Sequence, residues 1–356
     1  MLKGILITVF LFFTLFVFGQ IGGTHTFQFL SITNNAKVNA LGGENLTASD
    51  NDLGMVYHNP SLLSDSMDNN IVLNYVNYVG DINFGYVSYA RHFEKYGNFG
   101  IGLHYLNYGK FIKADETGII QGNFTASDYD LNLYWAKPLD SLWTIGATFK
   151  TIYSKYYTYY SSAIAIDAGI TYFNPKRQFT FAAVIKNLGV QIKRYDPEYR
   201  ESLPFNFLAG ISKKIKHAPF RLSFTFNNLT KYDLTYNSPL DIEPTNDLTD
   251  STTAQKDNKF LKTSDKIFRH IIIGAEFIPI KNFYVALGYN YRRRQELKIS
   301  TRPALIGFSF GIGIKISNFN FAYSRSLYNL AGASNVFSVR TNLQKAYRKI
   351  TYKKRS

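Results

Sequence analysis

From residue 71 to residue 343, hydrophobic side chains recur at every second position in one segment after another. Such a chain sends alternate residues to opposite faces of an extended strand and has no helical stripe to bury. In 305–316, Ile306, Phe308, Phe310, Ile312, Ile314 and Ile316 face one way, while Gly307, Ser309, Gly311, Gly313 and Lys315 face the other. Phe220, Leu222, Phe224 and Phe226 alternate with Arg221, Ser223, Thr225 and Asn227 in the same manner. The second face is hydrophilic and rich in small residues, so it looks into something wet.

Fourteen segments follow this pattern: 71–79, 83–92, 98–107, 124–135, 142–155, 161–173, 178–187, 205–214, 220–229, 268–277, 282–292, 305–316, 318–326 and 334–343. Strands of soluble proteins run to about 5 or 6 residues, whereas a tilted strand crossing a bilayer needs about 9 to 11. An even count is what a closed outer-membrane barrel requires. Connections after the odd-numbered segments run to about 3, 16, 5, 17, 38, 12 and 7 residues, and those after the even-numbered ones are 6 or shorter. Short periplasmic turns and longer outside loops give that parity. The sequence thus predicts an all-β fold: a 14-stranded antiparallel transmembrane β-barrel over 71–343, with both of its ends in the periplasm and a long extracellular loop at 230–267.

Composition agrees with this reading. Past residue 20 no apolar run approaches the length of a spanning helix, and 27 Tyr and 30 Phe suit strands that meet lipid. With no Cys there is no disulfide, thiol nucleophile or thiolate metal site. Lys3 followed by the apolar run 5–18 reads as a signal peptide, 1–19, cleaved between Gly19 and Gln20. Export then leads to a Gram-negative outer membrane. Residues 20–70 precede the barrel with Gly42-Gly43 and the turn Asn59-Pro60, and form a candidate hatch or plug. The tail 344–356 is basic and falls on the periplasmic side.

Nothing in the pattern points to catalysis or a cofactor. The six His never fall in the paired spacings that metal sites favour. Asp128 and Asp130 share a strand face, as acid/base carboxylates do, but no nucleophile motif accompanies them, and two lumen-lining carboxylates explain them as well. Gly100-Ile101-Gly102 and Gly311-Ile312-Gly313 lie in strands with no helix after them, so they are read as lumen-facing glycines and not as a nucleotide loop. Arg292, Arg293 and Arg294 open an outside loop, where arginines fork onto lipopolysaccharide phosphate more simply than onto nucleic acid, and no nucleic-acid partner is expected. Tyr75, Tyr78, Tyr105 and Tyr108 are expected in the aromatic girdles.

The residues also carry a family likeness. Phe29-Leu30, Ala40-Leu41-Gly42-Gly43 and Asn59-Pro60-Ser61-Leu62-Leu63 resemble the opening of FadL-like outer-membrane proteins. With 74–78, Asn83-Phe84-Gly85, 105–110, 126–129, 185–189, Leu203-Pro204-Phe205 and 217–221, the stretch from about 28 to 343 is similar, more narrowly, to the PorQ family of the type IX (Por) secretion system. The resemblance implies a 14-stranded barrel with an N-terminal hatch. It also implies a non-enzymatic place in an attachment complex with a PorU-like sortase, a PorV-like barrel and a PorZ-like surface protein, which couples secreted cargo to lipopolysaccharide. No catalytic residues carry over, because that family is not the sortase. A second expectation is a FadL-like transporter that admits small hydrophobic molecules past the hatch.

Overall fold

The computed structural model describes residues 25–48, 50–235, 259–297, 305–329 and 332–344. The expected signal peptide with Gly19 and Gln20, most of the loop 230–267 and the basic tail past Gln344 lie outside these residues.

Fourteen strands form one antiparallel sheet that closes on itself. They are β1 (Asn70–Asn77), β2 (Asn83–Phe93), β3 (Gly97–Ala114), β4 (Ile120–Pro138), β5 (Trp143–Tyr156), β6 (Tyr159–Asn174) and β7 (Phe179–Lys193). Then follow β8 (Asn206–Lys214), β9 (Phe220–Phe226), β10 (Ile271–Ile280), β11 (Phe283–Asn290), β12 (Phe308–Ile316), β13 (Phe319–Asn329) and β14 (Gly332–Asn342). Each pairs with its chain neighbours, and β1 closes on β14 from Asn70↔Asn342 to Asn77↔Asn335. Closure gives every strand a partner on both sides and leaves no edge strand, which is the condition for strands in hydrocarbon.

The alternation becomes an outside and an inside. On β12, Phe308, Phe310, Ile312 and Ile314 stand outward and 41–50% exposed, while Ser309 is buried inside. Leu222, Phe224, Ile273, Leu287, Phe321 and Phe337 continue this apolar belt on other strands. So large a continuous greasy surface is stable only in lipid. The end with the short turns faces the periplasm and the end with the long loops faces outside, by the rule for such barrels.

The wall is not of even height. β3 and β4 pair beyond the expected boundaries, from Lys110↔Thr125 to Ala114↔Ile120, so the 16-residue loop expected there is mostly strand. Asp115 closes its tip by accepting from the N–H groups of Thr117 and Ile119. β7 likewise runs on to Lys193. Strands β8 to β12 stop much lower, and two helices, α2 (Lys259–Phe268) and α3 (Tyr291–Leu297), replace the strand ends expected at 268 and 292. Cross-strand pairing can continue in water above the bilayer, so strand length there reports pairing and not membrane thickness.

Two of the four girdle tyrosines are corrected. Tyr75 and Tyr105 stand outward, 52% and 37% exposed. Tyr108 turns inward to donate to Asp128 at 2.6 Å, because the register slips between Asn107 and Lys110 and a one-residue slip reverses the face. Tyr78 lies past the last paired residue of β1 and packs on Phe84 and Tyr328.

Inside the barrel lies the N-terminal plug. It starts at the outer mouth, where the Thr26 N–H donates to the Ser202 carbonyl at 3.1 Å, and reaches the periplasmic end at Asn69, whose N–H donates to the Ala90 carbonyl. Among its described residues the one α-helix, α1 (Ala36–Ala40), is capped by the Asn35 side chain, which accepts from the Lys37 and Val38 N–H groups. Asn59 caps the turn Pro60–Leu62 in the same way, with Pro60 at the first position, where no N–H is required.

Candidate functional site: the plugged lumen

Plug and wall fit through glycines. A side chain at Gly288 would lie 2.1 Å from the Gly42 nitrogen, and one at Gly146 would lie 2.5 Å from the Pro60 carbonyl carbon, so both wall positions admit plug backbone only as glycine. Gly42 and Gly43 have φ of +101° and +100°, which side chains resist. Asn290 Nδ2 donates to the Gly42 carbonyl at 3.2 Å. Asn59 Nδ2 donates to the Leu46 carbonyl and to Thr171 Oγ1, at 2.9 and 3.0 Å. The two sequence motifs of the plug thus mark its contacts with β11 and β6. The glycines of the dinucleotide-like runs also face inward, with Gly102 beneath Tyr86 and Tyr134, and Gly311 against Ala40.

Charge is matched across the same interface. Near the periplasmic end, Lys37 and Asp50 of the plug meet Arg221 of β9 and Glu276 of β10. Lys37 Nζ is 3.0 Å from Glu276, Arg221 Nη1 donates to Asp50 Oδ1 at 2.8 Å, and Lys37 also pairs with Asp50. Arg221 forks onto Glu276 at 2.5 and 2.8 Å. Two cations facing two carboxylates leave none of the four unmatched, as burial requires.

Higher up, Lys150 of β5 reaches Asp167 of β6 at 2.7 Å and donates to Asn187 Oδ1 at 2.9 Å. The plug's Tyr57 ring lies between Lys150 and Lys186, whose ammonium groups are 5.1 and 5.4 Å from its centroid. Glu44 accepts from or pairs with His58 at 3.2 Å and lies 4.0 Å from Lys186. Burial works against the charge on Glu44, but the Lys186 ammonium, the His58 contact and Lys150 outweigh it and hold its pKa at about 2. Burial lowers the pKa of His58, so the imidazole is a neutral partner at pH 7.

Asp128 and Asp130 both face the lumen and are fully buried. Asp128 accepts from Tyr108, Tyr156 and Ser154. Asp130 accepts from Asn132 Nδ2 at 2.7 Å and lies 3.1 Å from His104, out of hydrogen-bonding alignment with it. The His104 ring is enclosed by Phe29, Tyr57, Phe84 and Tyr86, at centroid distances of 5.5 to 6.3 Å. Among the described residues no group of three potential ligands could hold a metal ion.

Beside these polar groups an apolar cluster joins plug and wall in the outer half of the lumen. Phe27, Phe29, Leu30 and Ala36 of the plug pack on Val76, Phe84, Leu106, Ile152, Ala163, Ala165 and Val336 of the wall and on Leu203 of the β7–β8 loop. A cavity of about 390 Å3 lies above this contact, lined by His25, Gln28, Lys231, Arg292, Arg293 and Tyr328 among others. One of about 480 Å3 lies at the periplasmic mouth, beside Lys37, Asp50, Arg221 and Tyr284. The wall also has a weak seam. β8 pairs with β7 only as far as Lys186↔Asn206, so Leu188 to Lys193 have no β8 partner. The loop residues Arg200–Leu203 stand there instead, leaving a gap of about 240 Å3 beside Gly189 and Gln191.

The arginine triplet lies on α3. Arg292 is 3.5 Å from Glu296, and Arg293 turns into the outer mouth, donating to Ser309 at 3.3 Å and lying 4.4 Å from the Tyr328 ring. Sequence reasoning did not single out Lys37, Glu44, Lys150, Lys186, Arg221 or Glu276. The available signal was a charge at an inward strand position, as in Phe220-Arg221-Leu222 or Ala275-Glu276-Phe277, which has to find a counter-charge inside.

The sequence matches no protein-family model and no curated protein. Among solved structures it is similar to the Ralstonia pickettii toluene transporter TbuX, with a TM-score of 0.53 at 11% identity over 88% of this chain and 99% of that one. It is also similar to a mutant of the monoaromatic hydrocarbon channel TodX, with a TM-score of 0.50 at 13% identity over 87% of this chain and 99% of that one. A Pseudomonas aeruginosa FadL homologue aligns at 12% identity with a TM-score of 0.44. At such identities the likeness speaks for the fold alone: a closed 14-strand antiparallel β-barrel.

Proposed function

We propose that this protein is an outer-membrane channel for small hydrophobic molecules. One observation carries the reading: in the outer half of the lumen a cluster of apolar plug side chains, Phe27, Phe29 and Leu30, packs on apolar wall residues such as Val76, Phe84, Leu106 and Ile152. A water-filled porin keeps an open hydrated bore, whereas here plug side chains fill the lumen and the apolar cluster offers contact to an apolar solute. TbuX and TodX, which share the fold, are a toluene transporter and a monoaromatic hydrocarbon channel by their own descriptions, and this supports the same substrate class here. The seam between β7 and β8 offers such a solute a thin place in the wall.

A second reading, as a non-enzymatic subunit of type IX secretion, rests on the sequence resemblance and on one structural observation. The β3–β4 hairpin rises above the bilayer with Ile112, Ile119 and Ile120 each 66% exposed, a surface that a partner protein could cover. Two measurements on deletion and wild-type cells separate the readings. A channel gives slower uptake of labelled monoaromatic or alkyl solutes on deletion and no sortase-like subunit on affinity purification from detergent-solubilised membranes. A secretion subunit gives normal uptake, co-purification of a sortase-like and a surface-anchoring protein, and loss of cargo attachment.

A further inference from the structure

Lys37, Lys150 and Arg221 inside the barrel are matched by carboxylates; a group of lysines on its outer wall is not. Across β3 to β6, tyrosines form a ladder on the lipid side. Tyr105–Tyr129, Tyr129–Tyr153 and Tyr153–Tyr160 have ring centroids 4.8, 6.4 and 6.3 Å apart. The first three are register partners across the strands, so they form one continuous row. An aromatic row of this kind marks the boundary between acyl chains and headgroups. Toward the periplasm from it, Ile166, Leu188 and Val190 are 49%, 59% and 47% exposed on the lipid side.

Toward the outside, the same face turns basic. Lys155 pairs across the sheet with Ser127 and Tyr160 and is exposed. The Lys193 ammonium lies 3.2 Å from the centroid of the Tyr160 ring, and Lys110 stands above, opposite Thr125. Among the described residues none of these three lysines has a carboxylate within salt-bridge distance, in contrast to Lys37, Lys150 and Arg221 within the lumen. Arg292, which sequence reasoning favoured for lipid contact, already faces Glu296. Cations without counter-charge, directly above an aromatic row in the outer leaflet, lie at the depth of lipid phosphates.

We infer that Lys155 and Lys193, with Lys110 above them, bind the phosphate of a phosphorylated glycolipid of the outer leaflet, the lipid A part of lipopolysaccharide. Its acyl chains lie along Ile166, Leu188 and Val190, and Tyr153 and Tyr160 lie under its sugar. The site is on the outer wall and is independent of what passes through the lumen.

Native mass spectrometry of the detergent-purified protein, offered bis-phosphorylated lipid A, dephosphorylated lipid A or phosphatidylethanolamine, tests this. The phosphorylated form is expected to be retained several-fold over the other two. Lys155→Gln with Lys193→Gln removes that preference, and each single change weakens it. Lys155→Arg with Lys193→Arg keeps it, and Lys137→Gln, at the periplasmic end, leaves it unchanged. Equal retention of phosphatidylethanolamine or dephosphorylated lipid A, or undiminished retention by the double glutamine variant, overturns the proposal. These lysines are exposed, so the variants are expected to fold; the heat-dependent gel mobility of a closed barrel checks each one.

Discussion

At the scale of single residues, the lumen is defined by side chains that are missing and charges that are matched. Gly146 faces Pro60 so closely that Gly146→Val has to displace the turn at Asn59-Pro60. The barrel is then expected to assemble with a plug that proteases cleave from outside, seen as a shortened N-terminus, while wild type stays intact. Glu44 gives a pH test with a definite sign. Its pKa is held at about 2 in the folded chain against an ordinary value of 4.5, so the contact stabilises plug docking above pH 4.5. That contribution fades as the pH falls from 4.5 toward 2. Comparing the plug's protease resistance in wild type and Glu44→Gln is expected to show a difference at pH 6 that shrinks across this interval. A difference independent of pH contradicts the assignment. The same residues show where sequence reading stops: Glu44 and Lys186, or Asp50 and Arg221, lie more than a hundred positions apart, and no local pattern announces their pairing.

At the scale of elements, alternation was enough to place strands, because each residue of a ladder such as β12 declares its own face. It was not enough to place their ends. β3 and β4 continue pairing in water, and the slip at Asn107 reversed the face of Tyr108, events decided by the partner strand. The plug was legible as a segment through Gly42-Gly43 and Asn59-Pro60, but its docking on β5, β6 and β11 was not. The latch between plug and wall gives a prediction here. Removing one member, as in Arg221→Met, leaves Lys37 as the one cation facing Asp50 and Glu276 and is expected to weaken plug docking, by less than the roughly 3–5 kcal/mol of a fully buried pair because Asp50 is 38% exposed. Arg221→Met with Glu276→Gln is expected to cost less than Arg221→Met alone, read by chemical denaturation of the plug with a fluorophore attached at its outer end. An equal or larger loss in the double variant contradicts a matched latch.

At the scale of the whole molecule, a closed sheet with a greasy outside requires a membrane, and a plug that fills the lumen limits what crosses it. Among the described residues, packed side chains and the ionic latch lie between the two mouths, of about 390 and 480 Å3. A pair of cysteines at Asn39 and Ser324, which are in hydrogen-bonding contact in a chain otherwise free of Cys, can tie plug to wall. If solutes pass only when the plug shifts, the oxidised pair slows passage and a reductant restores it; if they leave by the β7–β8 seam, oxidation leaves the rate unchanged. Purified protein in liposomes decides the larger matter: ionic conductance and the influx of a small fluorescent aromatic are recorded on one preparation. Conductance close to that of bare lipid, with influx of the aromatic well above it, is expected. Steady porin-like conductance with no gain in aromatic influx contradicts the hydrophobic channel.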